Sequence, residues 1–124
     1  MAMDIGKLTS EGAEFLENYV KKMNLEGAVI ATSEGLEMAS YFTTSTDPEI
    51  TSANAAALLA TAAGALSDLS KGDFSEMIIS SSDGFISIKD LGDDIALAIL
   101  TPQSYKMGAL TLALKQFVKD IQAF

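Results

Sequence analysis

Asp47-Pro48-Glu49-Ile50-Thr51-Ser52-Ala53-Asn54-Ala55-Ala56-Ala57-Leu58-Leu59-Ala60-Thr61-Ala62-Ala63-Gly64-Ala65-Leu66-Ser67-Asp68-Leu69-Ser70-Lys71-Gly72 reads as one long helix that is apolar on two separate faces. Asp47 is a good N-cap, Pro48 occupies the first helical position where a missing N–H costs nothing, and Gly72 stands where a left-handed C-cap belongs. At 100° per residue, Leu58, Leu59, Ala62, Leu66 and Leu69 form one stripe. Ala53, Ala56, Ala57, Ala60, Ala63, Gly64 and Ser67 cluster roughly opposite. Leucines fit the knobbly surface of a sheet, whereas a small-residue face lets another backbone approach closely, as a second helix would. Alanine raises helix propensity wherever it stands, but an exposed helix would mix it with Glu and Lys, and no charge occurs between Ser52 and Ser67. The seven small residues are therefore expected to receive a second helix. No membrane insertion is expected, because the apolar run falls short of the roughly 20 residues a bilayer needs and is interrupted by Asn54 and Thr61.

At 124 residues the chain is long enough to bury a real core without metal or disulfides, and it reads as one domain over residues 1–124. It has no Cys and no His, which removes thiol chemistry, imidazole bases and the usual transition-metal sites. Its eight basic residues, at 7, 21, 22, 71, 89, 106, 115 and 119, are all Lys, and the net charge of −9 opposes nucleic acid and anionic membranes. The start, Met1 to Lys7, lacks the basic and apolar regions of a signal peptide, so a cytoplasmic location is expected.

In chain order, Thr9-Ser10 offers a helix cap, with Ala13, Leu16, Tyr19, Val20 and Met23 on one face and an end near Asn24. Gly27 to Ser33 and Leu36 to Phe42 flank Glu34-Gly35 as a hairpin. After the long helix, residues 74–82, 85–90 and 95–101 form a three-stranded meander. Ile95 to Leu100 is apolar throughout, so this strand should be central and covered on both faces. From Ser104 helical spacing returns, with Met107, Leu110, Leu114, Phe117, Val118 and Ile121 on one stripe. The order α-β-β-α-β-β-β-α predicts an α+β fold: a five-stranded antiparallel sheet with the long helix on one face and the terminal helices on the other. A helix of 24 residues is about 36 Å long against about 23 Å for a seven-residue strand, so it should overhang its own sheet.

Glu26-Gly27-Ala28-Val29-Ile30-Ala31-Thr32-Ser33-Glu34-Gly35-Leu36-Glu37-Met38-Ala39-Ser40 resembles the opening motif of the roadblock family of dynein light chains and bacterial polarity GTPase regulators. The Ala-rich helix, Met77 to Phe85, and Lys106-Met107-Gly108-Ala109-Leu110 resemble the family in order and spacing, from about Gly12 to Ile121. The resemblance implies a homodimer or heterodimer whose long helices pack antiparallel and whose following strands pair into a ten-stranded sheet, which assigns Ala53, Ala56, Ala57, Ala60, Ala63, Gly64 and Ser67 to the dimer interface. It also implies that the dimer binds a Ras-like small GTPase or serves as a scaffold. The edge expected to pair runs from Ser75 to Ser82 and includes Met77, Ile78 and Ile79; its Glu76 to Ser80 segment has one charge and no Pro, poor protection against pairing. Asn54, Thr61 and Asp68, spaced by seven, form a polar strip on the long helix assigned to partner binding.

Other chemistries fit poorly. Gly6-Lys7-Leu8-Thr9 lacks the Ser or Thr and the cradle of a phosphate loop. Asp83, Asp93 and Asp94 lie at strand connections that contain a Gly, where turn chemistry alone favours Asp. No Gly-x-Ser-x-Gly elbow or Ser-x-x-Lys pair occurs. No catalytic, metal or cofactor residue is therefore assigned. The leading function is a non-enzymatic dimeric adaptor that binds, and regulates without an arginine finger, a small GTPase. The alternative is a structural light chain or scaffold subunit without nucleotide sensitivity; a third is a small-molecule sensor.

Overall fold

The computed structural model describes residues 3–124. Among them three helices and five strands follow in the order α1 (Ile5–Met23), β1 (Gly27–Thr32), β2 (Glu37–Phe42), α2 (Pro48–Asp68), β3 (Glu76–Ser81), β4 (Gly84–Gly92), β5 (Ile95–Pro102), α3 (Met107–Ala123). The strands form one antiparallel sheet in the order β2-β1-β5-β4-β3. This is the expected architecture, with β5 central between β1 and β4.

Strand alternation sorts the side chains into two layers. Ala28, Ile30, Leu97 and Ile99 face α1 and α3, where they meet Leu8, Leu16, Val20, Leu114, Phe117 and Ile121. Val29, Ile88 and Ala98 face α2 and meet Ala55, Leu58 and Leu59. The first layer is the larger, because two helices cover it.

Helix boundaries correct the expectation twice. Helix α1 begins a turn earlier than Thr9-Ser10: Asp4 caps it by accepting from the Lys7 N–H at 3.0 Å. The Thr9 and Ser10 hydroxyls instead donate back to the Ile5 and Gly6 carbonyls at 2.9 and 3.0 Å, a bond that short hydroxyl side chains make within a helix. Helix α2 ends earlier than Gly72. Ser70 takes the left-handed conformation at φ 56°, and the Lys71 N–H reaches the Leu66 carbonyl at 2.8 Å, closing the last turn. Leu69 thereby leaves the sheet-facing stripe and is 70% exposed.

The seam between α1 and α3 is aromatic. Tyr19 stacks on Phe117 with centroids 4.0 Å apart, and its hydroxyl donates to Asp120 Oδ2 at 2.7 Å. Burial first, then this hydrogen bond and the carboxylate charge, push the phenol above its ordinary range; burial does the same for Tyr105. The fold therefore holds these protons more firmly than the unfolded chain does. That stabilisation is complete below the ordinary tyrosine value of 10.0 and is lost as pH rises past it. Urea midpoints should accordingly fall steeply above about pH 10, and Tyr19→Phe should flatten that fall while costing about 1 kcal/mol at neutral pH. Parallel pH profiles for the variant and the wild type would refute the assignment.

Candidate functional site

The candidate site lies on α2 and the strand that follows it. Asp47 Oδ1 accepts from the Glu49 and Ile50 N–H groups at 2.9 and 3.4 Å, and Pro48 opens the helix. Ser52, Ala55 and Ala56 are buried on its inner side, and the helix lies chiefly over β1 and β5, reaching β2 and β4 at its margins. Small residues set this closeness. At Gly35, in the β1–β2 turn, an added Cβ would stand 3.2 Å from the Ala53 Cα, so the turn leans on the helix backbone.

The inner sector falls between the two stripes read from the sequence. Ala56, assigned to the dimer interface, is only 8% exposed and faces the sheet of its own chain, so it has little surface to give. Ala63 is half-buried for the same reason. Ala57 and Gly64 are exposed on the outer side, as are Asn54, Thr61 and Asp68 of the polar strip, while Ala53, Ala60 and Ser67 are exposed along one flank, with Ala53 beside Gly35 and Ala60 bordering the β4–β5 turn. Strand β3 pairs with β4 and forms an end of the sheet, opposite β2. Met77 and Ile79, set against Ile88 and Ile86, share the α2 side. Ile78, set against Ser87, points to the α1/α3 side, so its side chain cannot join a surface made by α2.

Two apolar residues were missed. Ile50 is 61% exposed on the outer line of α2, and Ile86 is 38% exposed beside Ile79 on the part of the sheet that α2 leaves bare. Ile50 could have been found from its helical spacing with Ala57 and Gly64. Ile86 could not, because only the position of α2 over β1 and β5 uncovers it. Exposed apolar residues therefore occur both on the outer side of α2, at Ile50, and beside the open edge of β3, at Ile86. By length and composition α2 could cross a membrane, yet its inner side is packed on the sheet. Only 17% of its most apolar window is buried.

A hollow of about 230 Å³ lies where α2 meets the β4–β5 turn, between Ala56, Leu59 and Ala60 on one wall and Asp90, Asp93 and Asp94 on the other. Among the described residues no group of three or more Asp, Glu, His or Cys side chains is placed to hold a metal ion. The three helices and five-stranded antiparallel sheet, in this order, are those of a known fold: residues 11–101 match the Roadblock/LC7 domain. The chain belongs to the Roadblock/LC7 family. Solved roadblock structures superimpose over nearly all of it. A Roadblock/LC7 domain from Streptomyces avermitilis aligns with a TM-score of 0.79 at 16% identity, covering 90% of this chain and 94% of that one. MglB from Myxococcus xanthus gives 0.83 at 13% identity, covering 97% and 88%. The gliding protein MglB from Thermus thermophilus gives 0.78 at 13%, covering 93% and 88%. At such identities the roadblock likeness is one of fold. No curated protein matches the sequence.

Proposed function

We propose that this roadblock chain is a non-enzymatic, cytoplasmic adaptor that forms a homodimer through the outer side of α2 and the edge of β3 and binds a Ras-like small GTPase on the paired helices. The observation that carries this reading is the long apolar helix left bare on one side beside an open strand edge. If α2 of each copy buries roughly 300 Å² of apolar surface, the gain is about 7 kcal/mol per copy at 25 cal/mol/Å². Association costs of about 4 to 15 kcal/mol consume much of that, so pairing of β3 with its mate contributes the remainder. Glu76 is the one charge on β3, and it is already occupied by Lys89 at 3.3 Å, so it does little to block the edge.

The chain has no Arg, and Lys approaches a phosphate only as a hydrated point charge. Regulation of hydrolysis would therefore be indirect, by preferential binding of the GTP-like conformation. The test is capture from native lysate on the immobilised protein with a GTP or GDP analogue present. Nucleotide-dependent retention of a small GTPase is expected; nucleotide-independent retention of a large complex would assign a scaffold instead. Thr61→Lys with Asp68→Lys, one added and one reversed charge, should lower capture roughly tenfold while the dimer persists, since a change of charge at a rim acts on the partner more than on a packed centre. Undiminished capture by that double variant would move the contact off α2.

A further inference from the structure

We propose that the outer face of α3 is a second docking surface, on the side of the sheet away from α2, for an acidic segment of another protein with an apolar anchor. The first observation is a reversal of charge. Residues 95–119 carry Lys106, Lys115 and Lys119 and no Asp or Glu, a charge of +3; the other five Lys and all 17 acidic residues lie elsewhere, 5 − 17 = −12, which together give −9. A basic face on so acidic a chain is confined to one helix.

The second observation is what lies between those charges. Leu112 is the most exposed large apolar residue of the described chain, at 71%. Helical spacing places it on the outward line with Gly108, Lys115 and Lys119, directly opposite the buried Leu110, Ala113, Leu114, Phe117 and Ile121. Leu112, Lys115, Gln116, Val118, Lys119 and Gln122 line a shallow groove of about 440 Å³. An exposed leucine ringed by polar side chains is the composition of an anchor site with a polar rim.

The third observation is that, among the described residues, no carboxylate forms an ion pair with this face. The ion pairs among the described residues are Lys21–Glu17 and Lys89–Glu76, so Lys106, Lys115 and Lys119 have no carboxylate partner. Asp120 is the acidic residue next to them. It is turned toward α1, with Oδ2 taken by the Tyr19 hydroxyl at 2.7 Å and Oδ1 by the Gln116 amide at 2.9 Å. The lysines are left free to pair outward, and carboxylates at helical spacing around one Leu, Ile or Phe would complement them. An anionic membrane is disfavoured by the charge of −12 on the rest of the molecule, which a flat extended surface would also meet. A short segment would meet α3 alone.

The probe is a synthetic peptide of about 15 residues, helical, carrying Glu at spacings of three and four around a central Leu, with a Lys-for-Glu peptide as control. Binding is followed by amide chemical shifts of the full chain, with about 50 and 200 mM salt compared. Shifts confined to residues 106–122, loss of roughly tenfold in affinity on K115E with K119E, a similar loss on Leu112→Ser, and weakening in high salt are expected. All three positions are exposed, so unchanged far-UV circular dichroism should accompany these losses. Shifts centred on α2 and β3, equal binding of the Lys control peptide, no binding at millimolar peptide, or co-sedimentation with phosphatidylserine vesicles in preference to the peptide would each overturn the proposal.

Discussion

Ala57→Arg should convert the proposed dimer into a monomer at micromolar concentration, lowering the affinity between copies by about a thousandfold or more, some 4 kcal/mol at 1.4 kcal/mol per tenfold. Ala57 lies on the outward line of α2, exposed, with its Cβ away from the sheet. A guanidinium there would have to enter a face built of Ala, Gly and Ser, where an unpaired buried charge costs several kcal/mol. Within one copy the same substitution is nearly neutral, because Arg and Ala have similar helix propensities and no intrachain packing is lost. Ala60 is a less clean position. It borders the hollow lined by Asp90, Asp93 and Asp94, into which an introduced Arg could turn and be neutralised. Sedimentation velocity of both proteins between about 1 and 50 μM decides the matter: a wild type that sediments as a monomer, or a variant that stays dimeric, removes the α2 interface.

Gly84→Ala should lower stability by about 3 to 5 kcal/mol, the range in which a change stops being routine and points to a backbone clash. Gly84 has φ +144°, outside the reach of ordinary L side chains, and an added Cβ would drive far inside contact with the Thr101 carbonyl oxygen. That carbonyl cannot step aside, since Gly84 and Phe85 face Pro102 and Thr101 in the β4–β5 ladder and the Thr101 side chain is buried. Because Gly84 also closes the turn from β3, relief of the clash would shift β3 and spoil the edge proposed to pair. Urea titration should show a lower midpoint with an unchanged slope, and the proposed dimer should weaken in parallel. A midpoint within experimental scatter of the wild type would mean that the β3–β4 turn adapts.

The layered fold was legible because local signals agreed with one another. Glu34-Gly35, Asp83-Gly84 and Asp93-Asp94 mark the turns, and the unbroken apolar run at Ile95–Leu100 marks β5 as central, between β1 and β4. The faces of α2 were only half legible. Alanine fits a sheet and a solvent-facing helix interface equally well, so periodicity alone could not place Ala56 inside the chain and Ala57 outside it. The side on which Ile78 points was not legible, because strand alternation depends on register, and register is fixed by the pairing with β4. Helix ends failed where a weaker local feature prevailed: Asp4 over Thr9-Ser10, and Ser70 over Gly72.

The strand order also dictates a timetable. Strand β1 pairs with β5, so Gly27 waits for Leu100 and Thr32 for Ile95. On the ribosome, at about 5 to 20 residues per second, the roughly 60 residues that separate the end of β2 from the end of β5 take about 3 to 12 s to appear. A β-hairpin closes in about 1 to 10 μs, so β1 and β2 are paired long before their neighbour exists. Throughout that interval β1 presents Val29, Ile30 and Ala31 along an unpaired edge, and each nascent chain is open to the strands of any other. The last strand to be synthesised is the one that joins the hairpin to β4 and β3, so the sheet stays in two pieces until about a hundred residues of the chain exist.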